Sequence, residues 1–518
     1  MKRASTPSFI ATFGLRYEPW QRDKLDKLFQ VDNNIYNALV KDRKKALGQL
    51  ERTRAWRRNK AGIASIFAVM GKENPSKEHQ EALKVLYAEK QDMLSQYGLG
   101  EYAFQAKAQK YRKHYKKLVN THIAQTTATA VWHKFEDYLF GNGEEIACRS
   151  WQKNRSIEGK NNSNAITFHK GVLRVCGMKI PVEPPDNAYE QECLTRKVKY
   201  CRLVRIPWKT SDWLYQVQLV LEGDPPVKVD TQTGEMLHAM GKGRAGIDIG
   251  PQTVAFVSHD FVALEELSNK ANMRYRELRL IERAMDRSRR GMNPEFFNQD
   301  GTVITTDKLP PELLKPNGKR KWAHSKHYNE LARKKRYLNA KLARLRRCQH
   351  NEMANRYLAQ GDEFYIEDMN FAAMAKKAKA QKKEDLKPGE KFRRRKRFGK
   401  SIANKAPAGF VVTLERKVLR QGGSFQRINT REAKASQYDH LSQEYNKKKL
   451  SQRWHRFKDG RKIQRDLYSA FLIMNTNHTL NGFDQALCDA NFEHFFALHN
   501  LEISRLRGVQ MPSSAGVA

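Results

Sequence analysis

Two apolar, strand-like runs in this chain each carry a carboxylate where a core would form. In "AGIDIG" it is Asp248, and in "FYIEDMNF", Phe364 to Phe371, it is Glu367. A carboxylate in an apolar strand must be paired, protonated or bound to a cation, because an isolated buried charge is strongly destabilising. Any sheet built from these strands must therefore bring compensation to them. Strand alternation sets the adjacent Asp368 on the opposite face from Glu367, which leaves Glu367 as the inward acid. A third acid, Asp466, stands in "QRDLYSAFLIM", just ahead of a helical apolar run. Alone, such an acid serves as partner to the helix dipole. Asp484 and Asp489 compete for the third position but lack the long apolar helix that follows Asp466.

Two strand-borne acids and one at a helix start can converge on a point and hold two Mg²⁺ ions. Hard dications need oxygen ligands, and two of them about 3.5–4 Å apart clamp the attacking and leaving oxygens of a phosphodiester displacement. The rest of the chain suits that substrate. Its 96 Lys+Arg against 56 Asp+Glu leave a net charge of +40. That excess repels itself unless a polyanion neutralises it, and nucleic acid is the leading partner. No run of about 18 apolar residues would span a bilayer, and the opening "MKRASTPSFIATFGLRY" lacks an apolar stretch of signal-peptide length. A soluble, cytoplasmic protein is expected. The six cysteines (Cys148, Cys176, Cys193, Cys201, Cys348, Cys488) are scattered without C-x-x-C spacing. This argues against a disulfide framework and against a cysteine-built zinc site.

Along the chain, "SFIATFGLR" roughly alternates as a strand, and "PWQRDKLDKLFQVDNNIYNALVKDRKKAL" switches to helical period. Helical, charge-laced sequence runs to about Leu139 and the breaker "GNG". From about Glu144 to Lys242 the pattern is β, with hairpin signatures in "AITFHKGVLRV" and "CRLVRIPWKTSDWLYQVQLVLEG". One β domain interrupted by helices fits this order, and two separate domains is the alternative. A new region opens at "GKGRAGIDIGPQTVAFVS", continues through two long basic helical stretches and reaches the "FYIEDMNF" strand. Then comes a lid-like segment, Phe371 to Lys400, with 13 basic and 3 acidic residues. It is either a solvated loop or a phosphate-contacting one; against the overall charge, phosphate contact through Arg393, Arg394, Arg395, Lys396, Arg397 and Lys400 is the expectation.

"GIDIGPQTVAF", "FYIEDMNF" and "QRDLYSAFL", in this order, resemble the three RuvC motifs of the TnpB transposon-associated nucleases and the compact type V CRISPR effectors. "IYNALV", "YQVQLVLEG" and "RFGKSIANKAPAGF" are supporting matches. The resemblance implies a multidomain α+β fold. A β-barrel-like wedge (1–19 and 144–240) would be interrupted by a helical recognition domain (20–143). An RNase H-like RuvC α/β domain (241–420 and 464–518) would carry a ribbon-like target-nucleic-acid-binding insert (421–463). It also implies a guide RNA, a double-stranded DNA target beside a short duplex motif, and Mg²⁺-dependent cleavage in a prokaryotic cytoplasm at the nucleoid. The catalytic and metal-binding acids would be Asp248, Glu367 and Asp466. One departure is plain: the interval from Asn429 to Arg465 has no cysteine where relatives carry a four-cysteine zinc ribbon. His440 and His455 alone do not make a structural zinc site, so no zinc is expected there. The expected insert is held by packing and hydrogen bonds or is partly disordered. Two other functions compete. "GIDIG" also resembles the first phosphate loop of actin-like ATPases, but no second Asp-Gly-rich loop follows. A guided DNA-binding protein that no longer cuts is the other, although all three acids are present.

Overall fold

The computed structural model describes residues 6–70, 76–143, 145–208, 213–316, 318–376, 398–449, 451–509, 511–512 and 515–516. The chain divides into two compact units, Met1–Thr233 and Gly234–Ala518.

The first unit begins with β1 (Ser8–Gly14), whose inward residues Phe9, Ala11 and Phe13 alternate with exposed ones. Helices α1 (Pro19–Glu51), α2 (Arg54–Met70), α3 (Lys77–Gln96), α4 (Glu101–Arg112) and α5 (Thr121–Leu139) follow. α1 starts at a capping box between Glu18 and Gln21 with Pro19 in its first turn, and buries Leu25, Leu28, Phe29, Ile35 and Leu39 on one face. The chain then returns to strands: β2 (Ser156–Glu158), β3 (Ile166–His169), β4 (Val172–Val175), β5 (Met178–Pro181), helix α6 (Ala188–Thr195), β6 (Val198–Pro207) and β7 (Trp213–Glu222). β1 pairs antiparallel with β7, Ser8 opposite Glu222, so the helices interrupt one sheet of order β1-β7-β6-β2. β3, β4 and β5 form a separate sheet. Its third strand, "MKIP", was too short to declare itself in the sequence.

The second unit is built on β8 (Arg244–Ile249), β9 (Thr253–Ser258) and β10 (Val262–Glu266), joined by tight turns. Helices α7 (Asn272–Met292) and α8 (Lys326–Leu358) lead to β11 (Glu363–Glu367) and α9 (Phe371–Ala375). Beyond the basic segment come α10 (Gly399–Lys405), α11 (Pro407–Arg420), β12 (Ser424–Ile428) and α12 (Thr430–Ala433). Among the described residues the strands order β10-β9-β8-β11-β12, with β8, β11 and β12 parallel. Side chains of β8 and β11 alternate between two apolar layers. Ala245, Ile247, Phe364 and Ile366 pack with α8 and α11, and Tyr365 packs on the opposite face.

β12 corrects the sequence reading. It lies inside the interval 421–463 assigned to the insert, yet it pairs with β11 along its length, Glu363 opposite Ser424. "SFQRI" has only one fully buried residue, Ile428, so an edge strand of the main sheet looked like loop. The rest of that interval holds two hairpins, β13 (Tyr438–Asp439) with β14 (Glu444–Tyr445), and β15 (Trp454–Arg456) with β16 (Lys462–Gln464). Helix α13 (Arg465–Met474) follows directly, then α14 (Gln485–Leu506). Every residue of α13 from Leu467 to Met474 is buried, as befits a helix enclosed on all sides. Phe471 stacks on Phe495 with centroids 4.4 Å apart; truncating such a ring to Ala costs about 3–5 kcal/mol.

Candidate active site: three carboxylates at one end of a sheet

The parallel register of β8 and β11 sets Ile366 opposite Ile247. One residue further along each strand are Glu367 and Asp248, so the two acids leave the sheet side by side. Alternation places them on the face of Gly246 and Tyr365. On that face α13 lies very close: a Cβ on Gly246 would collide with the backbone of Ala470 and Met474. Glycine here is what lets the helix sit against the strand. The close seat matters because α13 carries the third acid in its first turn. Gln464 caps that turn, its side chain accepting from the Leu467 amide at 2.7 Å, and Asp466 follows at the positive end of the helix.

The electrostatics couple the three residues. Asp248 is held well above the usual carboxylate range, first by burial and then by the charges of Asp466 and Glu367; Arg465 and Arg453 oppose this without cancelling it. Burial pushes Glu367 up to about 7. Asp466 is contacted by its neighbour Arg465, whose Nη2 lies 3.1 Å from Oδ1. Arg465 in turn donates to the Gln452 carbonyl at 3.1 Å. The sequence reading missed Arg465 and Arg453; the "QRD" triplet carried the only hint. Asp248 and Glu367 keep partial solvent access.

The donor set is three carboxylates with a shortfall of positive charge, which fits a hard dication. The spacing is open: among the described residues, oxygens of all three acids do not lie within 4.8 Å of one another. One ion clasped by all three does not match that spacing.

The competing acids have other work. Asp484 caps α14, accepting from the Leu487 amide at 3.1 Å. Asp489 accepts from Gln485 at 2.8 Å, and Asp368 is exposed.

The basic segment is bracketed at this end of the sheet. α9 begins four residues after Glu367, and Gly399 at the start of α10 lies against the Ala375 carbonyl. Ser401 of α10 accepts from Gln252, in the turn after β8, at 3.0 Å. Lys405 then anchors the helix, buried in an ion pair of 2.7 Å with Glu266 and bonded at 2.7 Å to Asn272. Arg393, Arg394, Arg395, Lys396 and Arg397 lie outside the described residues, while Lys400 is described and exposed on α10.

The insert contains a second buried polar cluster. Asp439 accepts from His455 Nε2 at 2.9 Å and from the Leu441 and Ser442 amides. Burial raises the Asp439 carboxyl, but these bonds outweigh it and hold the group below its ordinary value. His440 Nδ1 and the Tyr468 hydroxyl share a hydrogen bond of 2.7 Å, and the His440 ring meets Phe492 edge-on at 4.5 Å. The two histidines hydrogen-bond to different partners, while both rings pack against Tyr468 and Phe457.

No protein-family model matches the chain, and no curated protein matches it. Solved structures do match. A cryo-EM structure of a Cas12f1–sgRNA–target DNA complex covers 91% of this chain and 99% of its own at 10% identity and a TM-score of 0.41. A cryo-EM structure of a CRISPR–Cas12f ternary complex covers 89% and 86% at 12% identity and a TM-score of 0.26. At such identities and scores the likeness carries no functional conclusion.

Proposed function

We propose that the chain is an RNA-guided DNA endonuclease that hydrolyses phosphodiester bonds at Asp248, Glu367 and Asp466. The observation that supports this most is the gathering of these acids at one end of a sheet, short of positive charge, in a chain of net charge +40. Asp248, which feels both other charges, would hold the metal together with Glu367 and Asp466. Mg²⁺ held there would supply a hydroxide nucleophile at neutral pH and charge neutralisation for the departing 3′ oxygen. Arg465 and Arg453 lower the repulsion among the acids, and Arg465 orients Asp466. The basic segment between α9 and α10 contacts phosphates. The wedge at 1–19 and 144–240 and the helices at 20–143 hold guide RNA and the duplex motif. Guide pairing, and not side chains, sets the target sequence. The guide comes either from a transposon transcript or from a CRISPR array.

A second reading, guided binding without cleavage, draws on the open spacing of the three acids. One experiment separates the two. Protein purified with its co-isolated RNA, sequenced and then matched to a DNA target, is expected to cut in Mg²⁺; Asp248→Ala is expected to bind that target and leave it intact. Guided binding with no cutting by the parent protein selects the second reading. An RNA-free preparation that cuts a defined DNA site overturns both.

A further inference from the structure

The turn between β9 and β10 has only His259 and Asp260 at its tip, closed by the Ser258 amide donating to the Phe261 carbonyl at 2.9 Å. His494, on α14, faces it. His259 Nδ1 lies 2.8 Å and His494 Nε2 3.2 Å from the same oxygen, Oδ1 of Asp260, and the two rings are 5.0 Å apart. All three ligand atoms lie within 4.8 Å of one another, a property no other trio of His, Cys, Asp or Glu has among the described residues. The cluster is independent of the acidic centre. Ser258 pairs with Ala245, near the start of β8, whereas Asp248 lies near its end, so the two sites occupy opposite ends of the sheet.

We propose that His259, Asp260 and His494 form a surface site for one first-row transition-metal dication of the zinc type. Two imidazoles and a carboxylate are borderline donors that favour such ions over Mg²⁺. Both supports are firm. The turn is a closed hairpin loop, and His494 is flanked by Phe492 and Phe495, which are buried in the core. Ligands on rigid elements lose little freedom when they bind. The side chains are 49–78% exposed, which leaves a fourth, tetrahedral position to water. The ion takes the place of the imidazole protons that face Asp260, each of which moves to the other ring nitrogen or, from an imidazolium, to solvent, and it staples the β9–β10 turn to α14. This site lies outside the cysteine-free insert, and an exposed, three-ligand site releases its ion readily.

The test uses untagged full-length protein, stripped with a chelator and returned to saturating Mg²⁺. Zn²⁺ is then titrated in competition with a chromophoric chelator. The parent protein is expected to take up one Zn²⁺ more per chain than His259→Ala/His494→Ala, and to gain about 2–4 °C in thermal midpoint on Zn²⁺ addition that the double variant lacks. Asp260→Asn should weaken uptake about tenfold, and Asp248→Ala should retain the full equivalent. Equal uptake by the parent and the double variant overturns the proposal. Loss of the equivalent in Asp248→Ala does so too, because it would assign the ion to the acidic centre.

Discussion

Asp439 and Asp248 are carboxylates of the same unit, each close to helix α13, and their surroundings are opposite. Asp439 accepts three hydrogen bonds, from His455 and two amides, and its carboxyl is held down. Asp248 faces two further acids, and its carboxyl is pushed up. The first arrangement is complete within the chain, so it contributes to holding the insert together. The second is incomplete, so it weakens the fold. Unmet charge at a partly open site is the mark of a place kept for something else.

The comparison can be broken most forcefully at the acids. Glu367→Gln or Asp466→Ala should lower Mg²⁺-dependent cleavage on the order of 10³-fold while leaving guided binding within about twofold. Gel-based cleavage and binding assays on one preparation check this. Near-parental cutting by the Asp466 variant would move the third ligand elsewhere. Asp439→Ala should do the reverse. It strands His455 and two amides in the core and should cost about 3 kcal/mol in denaturant unfolding, with cleavage retained wherever the protein remains folded.

Acid sharpens the contrast. Burial holds the His440 ring at about 4, against an ordinary 6.5. A histidine kept neutral in the fold contributes stability that is fully present above pH 6.5 and is lost as pH falls toward 4. The loss from this residue is about 3 kcal/mol. His440→Phe should therefore flatten the decline of unfolding free energy between pH 6.5 and 4 relative to the parent. An identical decline would show that His440 is not buried as described. At the carboxylate centre the sign is opposite. Asp248→Asn should stabilise the metal-free protein by about 1 kcal/mol at neutral pH, and added Mg²⁺ should then stabilise the parent but not the variant. Thermal unfolding with and without Mg²⁺ decides it.

The smallest expected effect concerns the basic segment. Neutralising Arg393, Arg394, Arg395 and Arg397 together should weaken nucleic-acid binding about equally across sequences. It should reduce the slope of log affinity against log salt by up to about 0.9 per lost duplex phosphate contact. An unchanged slope would make the run a solvated loop.

Much of the centre was legible in the amino-acid sequence, because a charge inside an apolar strand is conspicuous at any reading. Asp248 in "GIDIG" and Glu367 in "FYIED" declared themselves by local contradiction, and the order of strand, helices and strands followed from periodicity alone. What sequence could not supply was every feature whose cause lies far along the chain. Gly246 is an ordinary strand glycine until α13, more than 200 residues later, is found lying on it. "SFQRI" became a sheet strand only because β11 offered it an edge. His440 and His455 looked like leftovers of a metal site, and tertiary packing gave each a separate partner. His494 and the His259–Asp260 turn meet only because α14 folds back past β10. Local pattern reports what a segment must bury; which distant groups satisfy it depends on contacts that close only when the chain does.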